Sequence, residues 1–189
     1  MLPKFSVHTS EEFNGRRDTV MQKLRFSWLI WVLAAVIVGA VLLRLFVLQP
    51  YAISSNSMEP TLAPGDKIIV NRLAYQYGTP SRGDIVVFAY PKDTSRTFVK
   101  RVIALEGETI ELKGNQVFIN GALIQEPYLK AGDYPPFEPE TIPAENVFVL
   151  GDNRRESGDS REWGVLPRSY IIGKAWLIYS PLQRIKFLW

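Results

Sequence analysis

The 189-residue chain carries 22 Lys and Arg against 19 Asp and Glu, a formal charge of +3, with no cysteine and a single histidine, His8. Disulfides, thiolate metal sites and a cysteine nucleophile are excluded, and one histidine near the N-terminus leaves nothing from which to build an imidazole triad or a histidine-rich metal site. The first 25 positions hold a charge of +2, so the rest is nearly neutral and lacks the clustered basic stripe that nucleic-acid binding needs.

Residues 1–25 are polar with little periodicity and read as a tail. Phe26 to Leu43 is an uncharged run of 18 residues, which at the helical rise spans roughly 27 Å, close to the hydrocarbon thickness. Leu45 to Leu48 extends it, with Arg44 snorkelling to the interface. The run is longer than a signal-peptide core and no small-x-small cleavage site comes after it, so residues 26–48 are expected to be an uncleaved transmembrane helix. Lys23 and Arg25, backed by Arg16 and Arg17, precede it, and only Arg44 lies near its exit. The positive-inside rule then leaves the tail in the cytoplasm and sends residues 49–189 across, with His8 and Ser57 on opposite sides of the membrane.

Beyond the anchor, Pro50 to Ile53 is extended, and Ser54 to Leu62 is a small polar stretch that Pro60 keeps from being a helix interior. Ala63 to Asp66 is a turn into a strand at Lys67 to Asn71. Asp84 to Tyr90 is nearly continuously apolar, as suits a strand buried on both faces. Pro91 to Arg96 is expected to break it. Thr97 to Leu105 is a strand with Phe98, Lys100, Val102 and Ala104 on one face and Val99, Arg101, Ile103 and Leu105 on the other. A hairpin is predicted from Thr109–Leu112 and Gln116–Ile119. Glu126 to Glu145, with five prolines, reads as a long surface excursion. Asn146 to Leu150 resumes as a strand delivering the polar loop Gly151 to Glu162, and Tyr170 to Tyr179 is the last strand. The expected fold is mainly β, an antiparallel β-sheet domain after a single N-terminal transmembrane helix.

With its one histidine in the N-terminal tail, the chain must give a serine nucleophile another base, and lysine serves only when desolvation keeps it neutral near working pH. Lys100, between Phe98 and Val102, is the lysine best placed by pattern. The same pattern equally fits an edge-strand lysine that keeps sheets from pairing. Ser57 is equally readable as a turn hydroxyl, and the 151–161 loop as a solvated turn.

Four stretches in order nevertheless resemble the bacterial type I signal peptidases, serine/lysine endopeptidases: Ser55-Asn-Ser-Met-Glu-Pro-Thr-Leu62, Arg82-Gly-Asp-Ile-Val-Val-Phe88, Val99-Lys-Arg-Val-Ile-Ala-Leu105, and Gly151-Asp-Asn-Arg-Arg-Glu-Ser-Gly-Asp-Ser-Arg161. The resemblance implies Ser57 as nucleophile, Lys100 as general base, and Ser55 with the Ser57 backbone N–H as oxyanion hole. It implies Ser157 as the hydroxyl that orients the lysine, and Asp159 with Arg161 as a bracing ion pair. Tyr51, Ile53, Met58, Leu62, Val87 and Val99 match the lining of shallow pockets for small residues one and three places before the cut. The implied protein is a single-pass enzyme of the plasma membrane or an internal photosynthetic membrane. Its partners are the bilayer and the signal peptides of exported preproteins, and it needs no metal or organic cofactor. Two departures stand out: Arg155 replaces the family's usual second acid, with Glu156 as a substitute partner, and Ala104-Leu-Glu-Gly-Glu108 replaces the usual turn after the lysine strand.

Overall fold

The computed structural model describes residues 28–42, 44, 47–129 and 134–188. The chain divides into two compact units, Met1–Leu45 and Phe46–Trp189. In the first, residues 28–42 form helix α1, whose consecutive large side chains Trp28, Leu29, Ile30 and Trp31 are all exposed, as are Val36, Ile37 and Leu42 further on. Among the described residues no helix is long and apolar enough to cross a membrane. The tail, and residues 26, 27, 43, 45 and 46 of the expected span, lie outside the described residues. Leu48, expected at the end of that span, is the first residue of a strand.

The second unit is built almost wholly of strands: β1 (Leu48–Ala52), β2 (Lys67–Asn71), β3 (Ile85–Tyr90), β4 (Asp93–Ala104), β5 (Thr109–Lys113), β6 (Gln116–Ile119), β7 (Ala122–Leu123), β8 (Phe137–Thr141), β9 (Asn146–Leu150), β10 (Leu166–Pro167), β11 (Ile171–Ser180) and β12 (Lys186–Phe187), with a short helix α2 (Ser160–Trp163) after β9. One sheet runs β1-β2-β11-β3-β4-β9-β10, with β12 added beside β11, and a second runs β7-β6-β5-β8. Pairing is antiparallel throughout, from β1 with β2 to β5 with β8. The mainly β, antiparallel expectation is therefore met.

Three apolar clusters hold the sheets. Ile53, Met58, Leu62, Ile68, Val87 and Ile178 form one under the Ser57 segment. Val86, Phe88, Val102 and Val149 form another on the opposite face of the main sheet. Ile103, Ile110, Leu112, Phe148 and Leu150 join the smaller sheet to β4 and β9. Val102 and Ile103 of β4 thus serve different clusters, as a strand's period of two allows.

Three stretches depart from the sequence reading. The Pro91–Arg96 break contracts to a tight turn, because β4 starts at Asp93; the register then jumps between Ala89 and Tyr90, leaving residues 94–96 bulged out. The proline-rich excursion contains β8, despite Pro139. That strand is the last in its sheet and its pairing is irregular opposite the β5 stretch between Ile110 and Leu112, the places where a missing N–H costs least. The polar loop ends in α2, capped by Asp159, whose carboxylate accepts from the Arg161 N–H.

Candidate active site

The Ser57 segment is a series of turns, pinned from below. Met58 and Leu62 are linked by a hydrogen bond from the Leu62 N–H to the Met58 carbonyl (2.9 Å), and both side chains are buried in the apolar cluster. The segment closes where the Ile53 N–H donates to Asp66 O (2.8 Å) and the Gly65 N–H to Ile53 O (2.9 Å). The buried Asp66 carboxylate caps the Ala63 N–H and takes a bidentate pair from Arg184, at 2.7 and 2.9 Å. Arg184 Nη2 also reaches the carbonyls of Pro60 and Thr61. Residues near the C-terminal end of the described chain therefore clasp the serine-bearing loop.

β4 brings Lys100 to that loop. The strand pairs with β3 along most of its length and with β9 only from Arg101 onward, and Lys100, just before that point, is buried, so the reading of an exposed edge-strand lysine does not hold. Lys100 Nζ lies 2.7 Å from Ser57 Oγ, with Ser57 7% and Lys100 4% exposed. The Phe98 ring, 5.7 Å from Nζ, walls one side. Burial pushes the Lys100 ammonium down from 10.5 to about 8, against Asp159, Asp152 and Glu162, which raise it, and with Arg161, which lowers it. Desolvation outweighs those carboxylates because none forms an ion pair with Nζ. Ser55 Oγ stands 3.2 Å from Ser57 Oγ.

The 151–161 loop supplies the other wall, and it is not a solvated turn: Asp152, Arg154, Ser157, Asp159 and Ser160 are buried. The Asn153 N–H donates to the Ser57 carbonyl (3.0 Å). A Cβ at Gly151 would fall 2.1 Å from Ser157 Oγ and 2.4 Å from that same carbonyl, so only glycine allows the loop to lie this close. Asp159 and Arg161 form the expected pair, Nε to Oδ1 and Nη2 to Oδ2, each 2.8 Å. Asp159 Oδ2 also accepts the Gly151 N–H (3.0 Å). Ser157 Oγ is buried beside these atoms but makes no hydrogen bond among the described residues, so the implied bond to Lys100 is not formed here.

Two further buried pairs brace the loop, and neither was foreseen. Arg101 binds Asp152 through Nε–Oδ1 (2.8 Å) and Nη2–Oδ2 (2.6 Å), donates to the Gly83 carbonyl, and lies 3.8 Å from the Tyr128 ring centroid. Arg154 binds Glu126 through both terminal nitrogens and donates Nε to the Gly151 carbonyl (3.0 Å). An arginine among Val99 and Ile103 signals that some carboxylate must meet it; nothing local tells which. Of the departures, Arg155 is exposed, and Glu156 accepts from Asn56 Nδ2 beside the serine. Glu108 closes the altered turn by accepting from the Leu105 N–H and pairing with Arg82 at 2.6 Å.

All six pocket residues meet in one cluster: Ile53, Met58, Leu62 and Val87 within it, Tyr51 and Val99 packed against it. Met58, Leu62 and Val87 are almost wholly covered and form a floor, leaving open surface mainly on Tyr51 and Val99. A separate groove of about 530 Å³, lined by Pro60, Tyr128, Ile178, Arg184 and Ile185 among others, includes neither Ser57 nor Lys100.

A mainly β domain with a buried serine against an unpaired lysine has the makings of a hydrolase, and similarity to known proteins specifies which. The family model "Signal peptidase, peptidase S26" matches residues 25–180, and the chain belongs to that family. It is 40% identical over 157 residues to a signal peptidase I of Leptolyngbya laminosa, spanning 79% of this chain and 77% of that one. It is also 40% identical over 160 residues to a probable signal peptidase I-1 of Synechocystis, spanning 81% and 82%. A crystal structure of a signal peptidase I from Enterococcus faecalis aligns at TM-score 0.47 and 30% identity, covering 51% of this chain and 97% of the other. Membership makes this protein a peptidase of the class that removes signal peptides.

Proposed function

We propose that this chain is a membrane-anchored serine endopeptidase that cuts signal peptides from exported preproteins after a small-x-small sequence, with Ser57 as nucleophile and Lys100 as general base. The observation that carries the reading is the 2.7 Å approach of Lys100 Nζ to Ser57 Oγ within a buried site. Neutral Lys100 takes the Ser57 proton as Oγ attacks the scissile carbonyl. The Ser57 N–H and the Ser55 hydroxyl meet the oxyanion, where charge appears only in the transition state. Lys100, now an ammonium, gives its proton to the leaving amine; neutral again, it activates the water that hydrolyses the ester. No step calls for a metal or an organic cofactor.

The substrate binds extended, as an added strand beside the Ser57 segment. Its small residues sit over the floor of Met58, Leu62 and Val87 beside Tyr51, Ile53 and Val99, where a larger side chain would clash. Helix α1, apolar and largely exposed along residues 28–42, supports a single anchor that ends before the strand residue Leu48, with residues 1–25 cytoplasmic and the β domain outside. Ser157, Asp159 and Arg161 support the site.

The test is cleavage of a secretory precursor by the detergent-solubilised chain, with the cut read by mass spectrometry and Ser57→Ala run alongside. Cutting after small-x-small by the wild type alone is expected. Equal inactivity of both, in lipid as in detergent, would leave an anchored peptide-binding domain as the better account.

A further inference from the structure

Glu126 belongs to the proline-rich excursion, between β7 and β8, yet its side chain is only 6% exposed. Its carboxylate takes three donors, Arg154 Nη2 (2.5 Å), Arg154 Nη1 (3.1 Å) and the Tyr128 hydroxyl (2.6 Å). Each donor leads to the active site. Arg154 Nε holds the Gly151 carbonyl, and two residues further the Asn153 N–H holds the Ser57 carbonyl. The Tyr128 ring lies on the Arg101 guanidinium, which is next to Lys100 in β4 and grips Asp152 of the same loop. Asp152 in turn accepts from Thr61 Oγ1 (2.5 Å), four residues beyond the serine.

We propose that Glu126, acting with Tyr128, is a positioning residue for the cleavage reaction: one carboxylate sets both the loop that holds the Ser57 carbonyl and the arginine beside Lys100. A buried ion pair adds little net stability over an apolar pair of the same volume, so what this one adds is placement. Placement matters steeply, since a shift of about 1 Å at the reacting groups costs on the order of a hundredfold in rate. The proposal rests on the Ser57–Lys100 reading.

The test uses the full chain in lipid vesicles, with a synthetic precursor peptide as substrate. Thermal midpoint, kcat, KM and the pH profile are measured for Glu126→Gln/Arg154→Met, which keeps the pair's bulk without its charges, and for Tyr128→Leu, Tyr128→Phe and Ser57→Ala. Well below its midpoint the double variant is expected to lose at least about tenfold in kcat, with KM within about twofold, the signature of an interaction made in the transition state. Tyr128→Leu loses kcat in the same sense, and Tyr128→Phe, which keeps the ring on Arg101 but drops the hydroxyl that Glu126 holds, loses a smaller but measurable part of it. The acid limb moves to higher pH as water reaches Lys100, which Asp152, Asp159, Arg161 and Glu162 otherwise face. Unchanged kcat and pH profile with only a lower midpoint overturns the proposal. If the double variant does not fold, Tyr128→Phe decides the same question, since unchanged kcat there overturns the link from the Glu126 carboxylate to Arg101. Ser57→Ala separates the two levels: full activity there sinks the dyad and the proposal with it, whereas a dead Ser57→Ala beside kinetically normal Glu126 and Tyr128 variants sinks the proposal alone.

Discussion

Lys100 and Arg101 are consecutive, buried to the same degree at 4% and 5% exposure, and treated in opposite ways. On one face of β4 the guanidinium meets a carboxylate bidentately, a backbone carbonyl and an aromatic ring. On the other the ammonium meets a serine hydroxyl and the Phe98 ring, with Asp152 and Asp159 acting from further off. The first cation is fully paired. The second is held where charge is costly, and that is the condition for a base. A cation that is to brace is fully paired, and one that is to accept a proton is left short of partners.

Exchanging the two chemistries breaks this contrast most severely. Lys100→Arg puts a group that cannot be deprotonated against Ser57, and cleavage is expected to fall at least about ten-thousandfold, as for a lost triad member. Turnover of a precursor peptide measures it, and near-normal turnover would remove Lys100 from the mechanism. On the other face, Arg101→Met strands Asp152 and should destabilise the fold by about 3–5 kcal/mol, read from denaturant midpoints.

Lys100→Met should do the reverse and stabilise. A fall from 10.5 to about 8 corresponds to about 3 kcal/mol of penalty on the charged form at neutral pH. Because the unfolded chain binds more protons between those values, stability rises with pH across the window. The gain in Lys100→Met is therefore full below about pH 8 and gone above about pH 10.5. A midpoint that does not rise at pH 7 would mean that the lysine is not held under penalty. The mildest test is the pH dependence of kcat/KM, expected to climb through a midpoint near 8 as Lys100 loses its proton. Asp159→Asn removes the carboxylate that most opposes this and should move the midpoint lower.

What the sequence disclosed depended on how local each feature is. β3 and the second half of β4 were legible because burial on both faces and strict alternation write themselves into consecutive residues. Lys100 was not legible from pattern alone, since its burial depends on the Ser57 segment and the 151–161 loop, 43 and some fifty positions away in the chain; only the resemblance pointed to it. Pro139 hid β8, because an irregular edge strand tolerates what an inner strand does not. Glu126 was invisible for a related reason: an ion pair across 28 positions leaves no periodic trace. Asp159 and Arg161, two apart in one motif, were found at once.

The clasp of Arg184 on Asp66 adds a constraint in time. The two residues are 118 positions apart, and a ribosome adding about 5–20 residues per second needs roughly 6–24 seconds to pass from one to the other. During that interval the serine-bearing loop exists without the guanidinium that later grips its carboxylate and two of its carbonyls. The loop that carries Ser57 is thus made early and fastened late, gripped only once residue 184 has been synthesised.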